Sequence, residues 1–294
     1  MKIKDLLALI RPQQWLRNLF VFLPLFFSSN ILNPVLLIKG FGAFVAFSFI
    51  ASSIYCFNDL YDADYDRLHP KKKNRPVASG RVGKGPAYLL MVIMFLLSVF
   101  IVIYSFGFDF RTVFAIILFY FFLNIAYTVF LKKFAIIDVF IIALGFVLRL
   151  MAGGEATGVI LSHWIVIMTF LLALFLGFSK RKDDIRIYEA DGIKARKNIL
   201  RYNADFLNQT ISIIATITII SYIMYTVSGD VVDRIGNQYL YLTSIFVLLG
   251  ILRYLQLSLV DKTTGNPTEV LIKDRFIQLS ILGWIISFII ILYV

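Results

Sequence analysis

Apolar stretches long enough to cross a bilayer recur along this chain, and they leave few folds open to it. The runs 89–104 and 276–294 are too long and too poor in charge to be surface helices of a soluble domain. Inside a bilayer the backbone must satisfy its own hydrogen bonds, so such runs become helices. The sequence therefore predicts an all-α, polytopic membrane protein with about nine spans in a single domain over residues 1–294. The spans centre on 19–36, 38–57, 87–105, 111–130, 134–152, 161–179, 208–228, 238–256 and 276–293. The first is the least regular, because Pro24 and Pro34 bracket a short aromatic stretch that reads as kinked or partly interfacial. Cys56 is the single cysteine and lies in an apolar run, so it reads as a small packing residue rather than a redox group. The basic start, with Lys2, Lys4, Arg11 and Arg17 around Trp15, leads into a retained span rather than a cleavable signal.

The net charge of +11 is distributed by loop. The N-terminus and the second, fourth, sixth and eighth connections carry Lys71, Lys72, Lys73, Arg75, Arg81, Lys84, Lys132, Lys133, Lys180, Arg181, Lys182, Lys194, Arg196, Lys197, Arg201, Lys262, Lys273 and Arg275. The opposite connections hold little beyond Arg111 and Arg234. The positive-inside bias then puts the N-terminus and these basic connections in the cytoplasm and the C-terminus outside. Nucleic acid is a poor partner for this pattern, since the cations are scattered among short loops with no binding module around them. They mark topology first and an anionic substrate second.

One segment is chemically out of place. Asn58-Asp59-Leu60-Tyr61-Asp62-Ala63-Asp64-Tyr65-Asp66-Arg67 concentrates carboxylates at the end of a long apolar run, where they are costly unless a cation compensates them. Read as helix, Asn58, Asp59, Asp62 and Asp66 fall on one broad face over two turns. Oxygen donors so arranged suit Mg²⁺, which takes few protein ligands plus substrate phosphates; the plainer alternative is a solvated acidic cap. Arg67, Lys71, Lys72, Lys73, Arg75 and Arg81 follow at once. Acids for a metal beside cations for phosphate oxygens are what a diphosphate needs, with Arg67 and Arg75 able to grip oxygen pairs. Lys71 to Lys73 serve equally well to fix topology or hold anionic lipid.

A second cluster, Ser179-Lys180-Arg181-Lys182-Asp183-Asp184, stands where the sixth span ends. It reads either as a stop signal or as a phosphate site, with Lys180 and Arg181 on a phosphate and Asp183 or Asp184 assisting the metal or a hydroxyl. Tyr127, Lys132, Lys133 and Asp138 form a third group; Tyr127 and Asp138 are candidates to line a cavity, although tyrosine at a membrane boundary is ordinary. Arg149 is expected to snorkel or to pair with Glu155, outside the site. His69 and His163 are too isolated for a zinc site.

Asn58 to Asp66 matches the N-D-x-x-D-x-x-x-D motif, and the chain thereby resembles the UbiA superfamily of intramembrane prenyltransferases. Further tracts resemble one branch of it, the decaprenyl-phosphate phosphoribosyltransferases. These are Arg11-Pro12-Gln13-Gln14-Trp15-Leu16-Arg17-Asn18, the stretch from Asn58 through Arg75-Pro76-Val77-Ala78-Ser79-Gly80, Tyr127 with Leu131-Lys132, Ser179-Lys180-Arg181, and Gly265-Asn266-Pro267-Thr268-Glu269-Val270 with Asp274-Arg275. The usual second D-x-x-x-D motif is replaced by Lys180-Arg181-Lys182-Asp183-Asp184, a departure that favours a more anionic substrate than a prenyl diphosphate.

The resemblance implies a nine-helix UbiA-type bundle in the bacterial inner (plasma) membrane with its active site facing the cytoplasm. It implies Mg²⁺ on Asn58, Asp59, Asp62 and Asp66; catalytic roles for Asp59, Asp62, Asp66, Lys180 and Arg181; and substrate contacts from Arg67, Lys73, Arg75, Arg81, Tyr127, Lys132, Asp138, Asp183 and Asp184. The implied reaction passes 5-phosphoribose from 5-phosphoribosyl 1-diphosphate to a decaprenyl or undecaprenyl phosphate, a step that in the branch feeds cell-wall biogenesis. Prenyl transfer to an aromatic acceptor is the alternative on the same fold. A transporter or a non-catalytic scaffold is the alternative of another class, the former disfavoured by charges that gather at the membrane edge rather than the midplane. Any apolar lipid-facing helix face is also a candidate contact for a homo-oligomer.

Overall fold

The structure, a computed structural model, describes residues 3–28, 30–67, 72–192, 198–261 and 267–293. His69, Lys71, Lys194, Arg196, Lys197, Lys262, Gly265 and Asn266 lie outside the described residues. Among those described, the regular elements are all helical and fall into two compact units. The first unit begins with α1 (Ile3–Ile10), a 3₁₀ run (Pro12–Phe22), α2 (Leu23–Phe27), α3 (Pro34–Tyr61) and the single turn α4 (Ala63–Asp66). It continues with α5 (Lys84–Phe106), α6 (Phe110–Val129) and residues 145–157 of α7 (Ile137–Thr157). The second holds the start of α7 with α8 (His163–Asp191), α9 (Ala204–Val227), α10 (Gly229–Ile235), α11 (Ser244–Leu259), α12 (Pro267–Lys273) and α13 (Arg275–Tyr293).

Among the described residues, eight helical stretches are long and apolar enough to cross a membrane, and they coincide with the second to ninth predicted spans. The first predicted span, 19–36, is not one helix. Pro12 opens the 3₁₀ run, Pro24 sits in the first turn of α2, and Pro34 opens α3 behind Asn33, whose side chain accepts from the Val35 and Leu36 amides. Arg11 before Pro12 is left-handed and Asn33 before Pro34 is extended, so helix starts afresh at those two prolines, while Pro24, behind the helical Leu23, occupies the first turn of α2 where its missing N–H costs nothing. At the other extreme, α8 runs well past the predicted 161–179. Ser179 to Asp184 are therefore helix interior rather than the frayed end of a span.

In the first unit the broken N-terminal segment is fastened along α3 by polar contacts. Trp15 Nε1 donates to Ser52 Oγ (3.0 Å), Ser52 Oγ to the Ile10 carbonyl (2.9 Å), and Asn18 Nδ2 to Ser48 Oγ (3.0 Å). Arg149 completes the fastening, contrary to the expectation that it snorkels or pairs with Glu155. It is 5% exposed; Nε donates to Asn18 Oδ1 (2.7 Å), Nη1 to the Gly145 carbonyl (2.6 Å) and Nη2 to the Tyr120 hydroxyl (2.8 Å). The guanidinium also lies over the rings of Phe47, Tyr120 and Phe146. Neutral oxygens and aromatic faces thus replace a carboxylate, a solution available only because Asn18 is brought in from far along the chain. The segment passes close to α7 at Gly153, where a Cβ would sit 1.9 Å from the Val21 carbonyl oxygen.

In the second unit α8 packs on α9, and α11 on α9 and α13. Lys182 Nζ donates to the Ser258 carbonyl (2.8 Å), tying α8 to α11, while Trp284 Nε1 donates to Tyr222 OH (2.6 Å). The close approach in the first unit sets a test. Gly153→Ala should lose about 1–3 kcal/mol of stability through overpacking, read as a lower melting temperature of the purified protein. Gly85→Ala, whose Cβ meets nothing within 4 Å, should stay within about 0.5 kcal/mol of the unaltered chain.

Candidate functional site

The acidic motif of the first unit is built at the joint between α3 and α4. Asp62 bends the chain there (φ −90°, ψ 0°), yet the helical bonding continues through it: Asp62 N–H donates to the Asn58 carbonyl and Asp66 N–H to that of Asp62. The four side chains therefore keep the one-sided stacking their spacing predicts. Asp59 and Asp66 are buried at 1% and 4% exposure, and Asp62 is half-buried.

Each of these carboxylates meets a cation from elsewhere in the unit. Asp59 Oδ1 accepts from Arg11 Nη2 at 2.6 Å and lies 3.6 Å from Arg75 Nη1. Arg75 Nη1 also donates to Asp66 Oδ2 at 2.7 Å, so one guanidinium bridges two acids. Lys132 Nζ holds both oxygens of Asp62, at 2.7 and 2.9 Å, and lies over the Tyr61 ring. Asn58 Oδ1 accepts from Thr128 Oγ1. Tyr127 is half-buried beside Thr128 on α6. Three of the predicted basic residues stand apart from the acids. Arg67 pairs with Asp64 and donates to the Ala78 carbonyl, Arg81 bonds Ser79 and faces Asp5, and Lys73 is exposed. Arg11 was not among the candidates, because nothing in the sequence links it to an acid 48 residues away.

These residues suit a divalent ion in kind. Asn58, Asp59, Asp62 and Asp66 offer hard oxygen donors, and Asp59 Oδ2 is buried without a hydrogen-bond partner. Their present partners are nevertheless Arg11, Arg75, Lys132 and Thr128. Among the described residues no three acidic, histidine or cysteine side chains converge as a ligand set.

The second cluster forms a separate network in the second unit. Arg181, 1% exposed, donates from Nε to Asp138 Oδ2 (2.9 Å) and from Nη1 to Asp184 Oδ2 (3.3 Å), one turn along α8. Its Nη2 is buried without a hydrogen-bond partner. Asp138, expected to line a cavity, is fully buried and also accepts from the Tyr202 hydroxyl at 2.8 Å. That hydroxyl accepts the Ile136 N–H, which matters because Ile136 is held at φ 70°, a region that β-branched residues avoid. Burial pushes the Tyr202 phenol above its ordinary range, so it remains a neutral donor. Lys180 is half-buried, and Asp183 is buried at 3% exposure. Asp274, one of the residues carrying the resemblance, caps α13 through the Ile277 N–H and takes two bonds from Arg253, which hold its carboxyl below the usual range. Tyr202, like Arg11, escaped sequence reasoning, since an isolated tyrosine gives no sign of its partners. Tyr202→Phe should strand the Ile136 amide, costing about 1–3 kcal/mol. Thermal unfolding of the purified variant measures it.

The chain matches the model of the UbiA prenyltransferase family over residues 19–279. It is 31% identical to the decaprenyl-phosphate phosphoribosyltransferase of Mycolicibacterium smegmatis, over 96% of this chain and 91% of that one. To the enzyme of the same name from Corynebacterium glutamicum it is 32% identical, over 97% and 86%. Its backbone is similar to that of a UbiA homolog from Archaeoglobus fulgidus bound to GPP and Mg²⁺, with a TM-score of 0.71 at 20% identity, over 99% of this chain and 100% of that one. The acidic motif, the helical architecture and a family match across most of the length agree: the chain belongs to the UbiA prenyltransferase family.

Proposed function

We propose that this integral membrane protein transfers 5-phosphoribose from 5-phospho-α-D-ribose 1-diphosphate to a polyprenyl phosphate, with release of diphosphate. The observation that carries the reading is the joint between α3 and α4, where Asp59, Asp62 and Asp66 are interleaved with Arg11, Arg75 and Lys132. Such a site can offer acids to a metal and cations to phosphates at once. Near-full-length likeness to two decaprenyl-phosphate phosphoribosyltransferases supports the choice of substrates. So does the second cluster, where Lys180-Arg181-Lys182-Asp183-Asp184 departs from the second acidic motif usual in prenyl-diphosphate enzymes of this family.

In the proposed step a phosphate oxygen of the lipid attacks the anomeric carbon of the ribose. A new C–O bond forms as the bond to the diphosphate breaks, and the carbon inverts from α to β. An ionised phosphate is already a nucleophile, so the site needs no strong general base; it needs placement and shielding from like charge. Asn58, Asp59, Asp62 and Asp66 would hold Mg²⁺, which when bound disperses the charge that develops on the departing diphosphate. Arg75 and Lys132, with Arg67, Lys73 and Arg81 nearby in sequence, take donor phosphate oxygens. Lys180 and Arg181 take a donor or acceptor phosphate, with Asp183 and Asp184 orienting them and Tyr127 and Asp138 shaping the surroundings. The basic connections face the cytoplasm of a bacterial plasma membrane, and the polyprenyl tail lies along apolar helix faces in the bilayer.

The similar fold bound to GPP and Mg²⁺ favours prenyl transfer to an aromatic acceptor as the second reading. Separate incubations decide between the two: 5-phosphoribosyl diphosphate with polyprenyl phosphate should give a lipid-linked phosphoribose, and prenyl diphosphate with an aromatic acid should give nothing. The opposite outcome rejects the proposal. Asp62→Asn should insert normally and lose about 10²-fold or more of the turnover. Near-normal activity of that variant at saturating Mg²⁺ would remove the metal role.

A further inference from the structure

Tyr202 is held by its ring and by its hydroxyl at once. It ends a 3₁₀ turn (Ile199–Arg201) before α9 and is buried, with its ring 6.4 Å from that of Phe178 on α8 and 6.2 Å from that of Phe206 on α9. The ring contacts fix where the hydroxyl stands. Its hydrogen bonds then have only one possible direction, because a backbone N–H can only donate: the hydroxyl accepts from Ile136 at 2.6 Å, and its own proton goes to Asp138 Oδ1 at 2.8 Å. Asp138 Oδ2 receives Arg181 Nε at 2.9 Å. One polarised chain of hydrogen bonds thus runs from the left-handed backbone of Ile136 to the guanidinium of Arg181.

Arg181 has little freedom at the end of that chain. Asp138 takes its Nε and Asp184 its Nη1, while Nη2 is buried without a hydrogen-bond partner among the described residues. That nitrogen is the donor left for a phosphate oxygen. The helices themselves are set close together here, for at Gly177, one turn before Arg181, a Cβ would lie 2.5 Å from Val139 Cγ1, beside Asp138. Close packing brings acid and guanidinium together but does not choose how the carboxylate is turned. We propose that Tyr202 is a positioning residue for substrate phosphate: by fixing one oxygen of Asp138 it seats the other on Arg181 Nε, and so aims Nη2. The assignment rests on the part of the proposed function that gives Arg181 a phosphate, whichever substrate carries it. A phenylalanine would fill the same space between Phe178 and Phe206, so the role belongs to the hydroxyl. Holding the Ile136 amide is its plainer task, and the two are separable because glycine accepts φ 70° without strain.

The test uses the full chain in lipid nanodiscs, with KM and kcat measured for 5-phosphoribosyl diphosphate and for polyprenyl phosphate, and the melting temperature recorded alongside. Tyr202→Phe should raise one of the two KM values about ten-fold, the loss expected when a charge-assisted hydrogen bond is misaligned, and leave kcat within about two-fold. Its melting temperature should fall. Adding Ile136→Gly to Tyr202→Phe should recover melting temperature by relieving the backbone, while the raised KM persists. Ile136→Gly alone, with the hydroxyl in place, should leave both KM values level. Unchanged KM values in Tyr202→Phe overturn the proposal, as does a fall in kcat alone. A KM that recovers together with the melting temperature in the double variant also overturns it, for the hydroxyl then serves only the fold; so does an equal rise in Ile136→Gly alone. If Tyr202→Phe does not fold, the double variant decides, and KM values equal to those of the unaltered chain sink the assignment. A chain that turns over prenyl diphosphate instead rejects the functional reading, and a KM for that substrate raised by Tyr202→Phe keeps Tyr202 in its role. A chain that turns over neither overturns both.

Discussion

A carboxylate buried at the end of an apolar helix is the condition around which the first unit is organised. Asp59 has almost no contact with solvent, and an ion in that position is tolerated only with a close counter-charge. Stripping one partner from a buried pair leaves a naked charge, at a cost of about 3–5 kcal/mol. The demand reaches outward from there. The N-terminal segment has to run along α3 to deliver Arg11, and the turn after α4 has to fold back to bring Arg75 across both Asp59 and Asp66. The end of α6 has to stop where Lys132 reaches Asp62.

The opposite charge poses the same problem deeper in that unit and receives a different answer. Arg149 is buried without a carboxylate, held by an amide oxygen, a carbonyl, a hydroxyl and three aromatic rings. A guanidinium spreads its charge over a plane and tolerates such neutral company better than a compact ammonium does. Since Asn18 belongs to the same segment as Arg11, the cage around Arg149 also anchors the arm that serves the acidic site. Structure deep in the helices and chemistry at their edge are thereby coupled through one short stretch of backbone. The second unit repeats the principle with Asp138, which is shared by Arg181 and Tyr202 beside the strained backbone of Ile136.

Pairing every acid with a resident cation keeps the acidic motif near neutrality, which suits residues close to a hydrocarbon phase. In the proposed function the same pairing would offer the carboxylates to a metal and the cations to phosphate oxygens. A site with carboxylates alone would repel an anionic donor, and one with cations alone would not retain a metal.

Much of this was legible in the residues. The length of the apolar runs pointed to about nine spans, eight of which stand among the described residues as helices long and apolar enough to cross a membrane, and the spacing of Asn58, Asp59, Asp62 and Asp66 placed them on one face because helical periodicity is local. Basic residues close in sequence, such as Arg75, and the branch-specific tract around Lys132 pointed to cations near the acids. The first span, expected to be kinked or partly interfacial between Pro24 and Pro34, is divided among a 3₁₀ run, α2 and the start of α3. Arg149 was misread because its partners Asn18 and Tyr120 are far away along the chain. Arg11 and Tyr202 were missed for the same reason. Local order and charge inventory are properties of neighbouring residues and can be read from a string of letters. Which cation answers which acid depends on distances between segments remote in sequence, and only the folded chain decides that.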